Sequence, residues 1–229
     1  MSVPEQDPPT LPALRALMRA EAAALCASLP PRAGRFGLRL DRHADADPPA
    51  CPDAVAQWVR LHLANDHWCG DLLANGHEAL PFADDAFAIV WVHHALQARV
   101  QVRALLREAA RVTEPGGLLV LGGVHPLSIW SPWLAWHQRA ATHREHLHLP
   151  AELVRTLGGM GLRMEKLLRY GSFLPRCTQG DAPNAFLGGG YLLVARKHAD
   201  AVIPLRPMRM RAAPPLHAGF APHAHRDCA

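Results

Sequence analysis

Lysine is nearly missing from this chain: it occurs only at Lys166 and Lys197, so almost all of the 24 basic side chains are arginine. Set against 20 acidic residues they leave a net charge of only +4. With alanine so plentiful, the bias reads as that of a GC-rich genome rather than a polyanion-binding surface, and nucleic-acid binding is not expected as the main role. Cysteine is sparse as well. Cys26, Cys51, Cys69, Cys177 and Cys228 are scattered, odd in number and form no C-x-x-C pair, which argues against both a disulfide framework and a structural zinc site. No uninterrupted apolar run approaches the roughly 20 residues that a membrane span needs. The opening MSVPEQDPPT carries Glu5 and Asp7 and has no apolar core, so it is not read as a signal peptide. The expectation is a reduced, cytoplasmic compartment. One more absence is local: from Arg42 to Pro52 (RHADADPPACP) there is no glycine, and Pro48, Pro49 and Pro52 each lack a backbone donor.

What is present reads as one α/β domain. A chain of 229 residues that is 49% hydrophobic and 19% charged can bury one large core. Residues 1–10 are polar and proline-containing, hence loose. Over 11–29 the positions Leu14, Leu17, Met18, Ala22 and Leu25 make a helical stripe that Pro30–Pro31 ends. Residues 35–41 (RFGLRLD) read as a first strand and 53–58 as a helix with Asp53 as N-cap. Residues 59–64 (VRLHLA) follow as a second strand and 72–75 (LLAN) as a third, edge-ward one. The apolar run 86–92 (AFAIVWV) has the profile of a strand covered on both faces. From 102 to 112 the period changes: Val102, Leu105, Leu106, Ala109 and Val112 fall on one face of an amphipathic helix, which Pro115–Gly116–Gly117 stops. Residues 118–121 (LLVL) complete a strand–helix–strand unit. A helix over 150–157, an element over 162–170 that is ambiguous between strand and helix, and a last strand over 190–196 follow. From His198 the chain is rich in proline, arginine and histidine without periodicity, so the domain is bounded at 11–197 and 198–229 is expected to be a mostly disordered tail. Ligands of such sheets sit beyond the carboxyl ends of the strands, which turns attention to His93, His94 and the segment after Gly122.

The stretch LPFADDAFAIVWVHHALQ, followed by ALLREAARVTEPGGLLVLGG, resembles the middle of class I S-adenosylmethionine-dependent methyltransferases. More narrowly it is similar to the bacterial methyltransferase type 11 group, over about residues 72–130, and a VIPLRPMR ending supports the narrower likeness. The resemblance implies a doubly wound, mostly parallel seven-stranded sheet whose last strand is antiparallel. It also implies S-adenosylmethionine lying across the ends of the first four strands, beside Asp41 and His93, and a small-molecule or lipid-like acceptor. Asp66, about 25 positions beyond the first strand, can accept from ribose hydroxyls; Asn65–Asp66 is equally turn chemistry. Asn75 stands where the family commonly has an adenine-binding aspartate, and its amide oxygen can accept the same bond, or it simply ends a strand before Gly76. His94, more than His93, can orient or deprotonate the acceptor, or one of the pair caps the strand.

The family's glycine-rich loop after the first strand is what residues 42–52 lack. Each non-glycine residue forced into a left-handed conformation costs about 1–2 kcal/mol, so two such positions weaken cofactor binding by roughly ten-fold to a few hundred-fold. Two functions therefore stay open: a methyltransferase, and a pseudo-methyltransferase that serves as a binding or regulatory module, with a protein partner and S-adenosylmethionine binding lost. Trp130, Trp133 and Trp136, spaced by three, form either an aromatic lid over an apolar acceptor or part of the core. The irregular set His137, His143, His146 and His148 reads as a solvated surface, and no metal site is expected.

Overall fold

The structure, a computed structural model, describes residues 12–42, 44, 51, 53–64, 66–76, 79–98, 101–137, 146–175 and 187–198. The expectations for residues 1–10 and for the tail beyond His198 lie outside the described residues, as does most of the 42–52 segment.

The apolar stripe of 11–29 forms helix α1 (Pro12–Ser28), and the strand read at 35–41 is β1 (Gly34–Asp41). No helix follows at 53–58. Residues 53 and 54 turn, and β2 (Val55–Ala64) pairs in parallel with the whole of β1, from Gly34 opposite Val55 to Asp41 opposite His62. The expected N-cap role of Asp53 is thereby overturned. The physical reason is ladder length: Val55, Trp58 and Val59 suit a pleated surface, and Gly37 leaves the space that the Trp58 ring occupies. The third strand also differs. Asp66, at φ +61°, reverses the chain, so that β3 (His67–Gly70) returns antiparallel to β2, and the short β4 (Ala74–Asn75) pairs antiparallel to β3.

The middle of the chain follows its sequence pattern closely. β5 (Phe87–His93) is buried throughout, a 3₁₀ turn covers Ala95–Ala98, and α2 (Val102–Val112) buries Leu105, Leu106 and Ala109. β6 (Thr113–Val124) runs straight through Pro115–Gly116–Gly117, so that triplet ends the helix but lies within a strand. Then come α3 (Trp130–His137), α4 (Pro150–Gly158), β7 (Leu162–Tyr170) and β8 (Gly190–Lys197). Strand resolves the ambiguity at 162–170. The sheet has eight strands in the order β4-β3-β2-β1-β5-β6-β8-β7. β2, β1, β5 and β6 run parallel, and β8 is antiparallel to both its neighbours. The expected doubly wound, mostly parallel sheet with an antiparallel last strand is present; the strand count exceeds seven because a hairpin fills the third place.

Helices cover both faces. Leu105 and Leu106 of α2 and Leu153 and Leu157 of α4 pack on one side with Leu38, Leu40 and Val92. Leu14, Leu17 and Leu25 of α1 and Trp130 and Leu134 of α3 pack on the other with Ile89, Trp91 and Val120. Alternate residues of β1 and β5 thus point to opposite layers, which puts Arg39, Asp41 and His93 in the α1 layer with Ile89 and Trp91. Among the described residues, no helix is long and apolar enough to cross a membrane.

Lys197 closes the α2–β6 corner. Its Nζ donates to the carbonyls of Ala110 and Thr113 at 2.8 and 2.7 Å and to Asp85 Oδ1 at 2.7 Å. A cation at the carboxyl end of a helix meets otherwise orphaned carbonyls and the negative end of the dipole. Lys197→Met is expected to lower folding stability by about 1–2 kcal/mol, read as a shift in urea midpoint; no shift would remove that role.

Candidate functional site

The carboxyl ends of β1, β5 and β6 meet under the middle of α1, and there the apolar layer is interrupted by a buried polar cluster. Arg39 and Asp41 point the same way from β1, as Trp91 and His93 do from β5. Arg39, Asp41, His93, His94 and Gln97 are each at most 4% exposed, and Glu21 of α1 is 0% exposed. Gly122 of β6 makes the arrangement sterically possible, since a Cβ there would overlap the Glu21 carboxylate.

The bonds within the cluster form a chain. Arg39 Nε donates to Asp41 Oδ1 at 2.8 Å, and its guanidinium lies over the Trp91 ring at 4.5 Å. His93 Nδ1 donates to the same Asp41 oxygen at 2.7 Å, while Arg39 Nη2 lies 3.4 Å from that nitrogen. His94 Nδ1 donates to Gln97 Oε1 at 3.0 Å, and its Nε2 lies 2.9 Å from Glu21 Oε2. Tyr170 Oη donates to Glu21 Oε2 at 2.6 Å, and Trp91 Nε1 donates to Oε1 at 3.2 Å. His93 Nε2, although buried, makes no hydrogen bond; it faces Glu21 Oε2 at 3.6 Å. Backbone geometry holds the pair of imidazoles in place. His94 sits at φ +57°, a conformation that costs about 1–2 kcal/mol for a non-glycine residue. That turn lets His94 N–H reach the Gly122 carbonyl at 3.2 Å and bridges His94 to Asp41.

The electrostatics follow from burial and charge. Burial by itself pushes the Glu21 carboxyl up, but His93 and His94 beside it, with bonds from His94 and Tyr170, bring it down to about 2. The carboxylate is therefore ionised inside the core and depends on positive charge next to it. Burial pushes the Tyr170 phenol well above its ordinary value, and the Glu21 charge adds to this, so Tyr170 is a fixed donor.

Of the residues singled out from sequence, Asp41, His93 and His94 come together in this cluster. Asp66 and Asn75 lie elsewhere on the same carboxyl edge: Asp66 is exposed in the β2–β3 turn, and Asn75 is exposed on β4, opposite His67. The Gly76 N–H donates to the Asp66 carbonyl at 2.8 Å, which keeps these two neighbours. Both ring nitrogens of His94 are engaged inward. Trp130 is core, its Nε1 bonded to the Ser172 carbonyl, whereas Trp136 is 62% exposed. His137 bonds its own helix at Trp133, and His148 is partly buried, its pKa lowered by burial; His143 lies outside the described residues. Glu21, Arg39 and Tyr170 were not anticipated. For Glu21 the signal was available: it falls on the apolar stripe of α1 between Leu17 and Leu25, an acid where the pattern calls for a core residue.

A second unanticipated feature lies behind the cluster: Cys26 of α1 is disulfide-bonded to Cys51, just ahead of β2. The reading against disulfides is corrected on this point. Cysteines 25 positions apart carry no pairing signal in sequence; the end of α1 meets the approach to β2 only in the folded chain.

A family model described as a methyltransferase domain matches residues 50–121. Demethylmenaquinone methyltransferase of Mycobacterium marinum is 46% identical over 61 residues, 22% of this chain and 26% of that protein. Malonyl-[acyl-carrier protein] O-methyltransferase of Erwinia billingiae is 31% identical over 105 residues, 46% of this chain and 37% of that protein. The match thus spans only 26% to 37% of the length of these two curated relatives. The fold likeness is broader. A Thermotoga maritima methyltransferase described as a possible histamine N-methyltransferase superposes with a TM-score of 0.56 at 14% identity, covering 82% of this chain and 92% of that one. A Mesorhizobium loti S-adenosylmethionine-dependent methyltransferase gives 0.54 at 18% identity, covering 78% and 98%. At such identities these show the fold.

Proposed function

We propose that this chain, whose fold is like that of class I S-adenosylmethionine-dependent methyltransferases, transfers a methyl group from S-adenosylmethionine to a small-molecule or lipid-like acceptor. The supporting observation is the polar carboxyl edge of the sheet. There the β2–β3–β4 tip carries an acid, Asp66, and an amide, Asn75, side by side, and the ends of β1 and β5 carry Asp41 and His93. This donor set fits a nucleoside: a carboxylate for a ribose diol and an amide oxygen for an exocyclic amine. When bound, the cofactor supplies a methyl group on an electrophilic sulfonium. The residues of this chain bind and orient: Asp66 and Asn75 hold the nucleoside end, and Asp41, fixed by Arg39 and His93, borders the other. His94, engaged on both nitrogens, acts as a positioning residue that holds the end of β5 in its left-handed turn. Most of the rate would then come from alignment of donor and nucleophile.

Leu127 and Ile129, between β6 and α3, and Trp136 on α3 are exposed apolar side chains at 81%, 39% and 62%. Together with relatives named for demethylmenaquinone and for a malonyl-acyl carrier protein, they favour an acceptor with an apolar part. Asp66→Ala is expected to weaken S-adenosylmethionine binding about ten-fold or more in equilibrium dialysis; an unchanged affinity takes Asp66 out of the site. The pseudo-methyltransferase reading rests on a specific observation too: no glycine occurs from Arg42 to Pro52, and Asp41 and His93 already satisfy each other.

A further inference from the structure

The Glu21, His93 and His94 side chains each offer one ligand-type atom, and these atoms lie within 4.8 Å of one another, all three residues being buried. The hydrogen bonds assign the ring protons. The Asp41 Oδ1 atom accepts, so His93 carries a proton on Nδ1; Gln97 Oε1 accepts, so His94 does the same. Both Nε2 atoms thereby face Glu21 Oε2, from 3.6 and 2.9 Å. The buried Glu21 carboxylate needs positive charge beside these nitrogens, which ring protons or a bound cation can supply. A single proton on His94 Nε2 supplies it at one contact and leaves His93 Nε2 buried without a bond. A cation bound by all three supplies it at both.

We propose that Glu21, His93 and His94 bind a divalent first-row transition metal, with zinc as the natural test ion. Two imidazoles and a carboxylate are a donor set suited to such ions, and three protein ligands leave a position open. The outer shell is already in place, as metal-bound histidines require: Asp41 orients His93, Gln97 orients His94, and Tyr170 and Trp91 orient the Glu21 carboxylate. Apart from the two histidines, the cluster sets two carboxylates, Glu21 and Asp41, against the one guanidinium of Arg39. Neutral N–O donor spacing around such an ion is somewhat wider than the 2.9 Å between His94 and Glu21, and rotation of the Glu21 side chain supplies the difference. The ion would pin α1 to the end of β5, whether or not the site nearby binds S-adenosylmethionine.

The test uses the full chain, stripped with chelator, then titrated with Co²⁺ and Zn²⁺. Fifteen histidines make weak peripheral binding certain, so the readout is ions retained after dialysis, together with the visible absorption of low-coordinate Co²⁺. The expected result is one retained ion, a Co²⁺ spectrum of four- or five-coordinate type, and a thermal midpoint raised by Zn²⁺. His93→Gln is expected to lose that ion. Asp41→Asn, which touches only the outer shell, is expected to weaken it about 10- to 100-fold. No retained ion in the wild-type chain overturns the proposal even if a variant fails to fold, and so does equal retention by wild type and a folded His93→Gln.

Discussion

Replacing Glu21 with alanine is expected to lower folding stability by about 3–5 kcal/mol, the range for removing one side of a buried charged pair. The loss should appear as a lower denaturant midpoint with an unchanged slope. Glu21 is fully buried and is the shared acceptor of Tyr170, Trp91 and His94. Its removal strands a phenol, an indole N–H and an imidazole in the core, each left with its own desolvation cost. A surface-like change below about 0.5 kcal/mol would mean that the network is not formed in solution. Gly122→Ala checks the same geometry from the sheet side. Its Cβ would overlap the Glu21 carboxylate, so overpacking of about 1–3 kcal/mol is expected. Because the clash exists only while Glu21 is present, the two substitutions should not add: in the Glu21→Ala background the cost of Gly122→Ala should fall by about 0.5–3 kcal/mol.

The second large effect concerns the Cys26–Cys51 bridge. It closes a loop of 25 positions, and constraining the unfolded chain over such a length is worth about 3 kcal/mol. Reduction should therefore lower the denaturant midpoint of the wild-type chain, and a Cys26→Ala, Cys51→Ala double variant should start at the lower value and ignore reductant. The bridge ties the end of α1 to the approach to β2, on the same side of the sheet as Glu21. A wild-type chain whose stability does not respond to reductant would remove the disulfide from the energetics of the fold.

Much of this architecture was legible in the residues. The period shift between 86–92 and 102–112 locates β5 and α2 almost to the residue, because a doubly covered strand and an amphipathic helix leave opposite patterns. The last strand was also readable as an apolar run over 190–196, while its antiparallel direction came from the family resemblance. Three things were not. Residues 55–58 have side chains that suit strand or helix, and only the full-length partner β1 decides for strand. The hairpin at Asp66 needs a left-handed residue that asparagine–aspartate permits without requiring. The cluster itself is assembled from four distant segments. Local pattern exposed its strand ends, Asp41, His93 and His94, but Tyr170 is 149 positions from the carboxylate it donates to. Such pairings are set by strand order, which short-range spacing does not encode. Glu21 is the exception, since an acid on an apolar stripe is a local anomaly that signals a buried partner.

The most direct test of the functional reading is calorimetric titration of the full chain with S-adenosylmethionine and with its demethylated product. Stoichiometric binding of both at micromolar concentration is the expected result, weakened by Asp66→Ala. A well-folded chain that takes up neither at millimolar concentration would contradict methyl transfer and leave the pseudo-methyltransferase in its place.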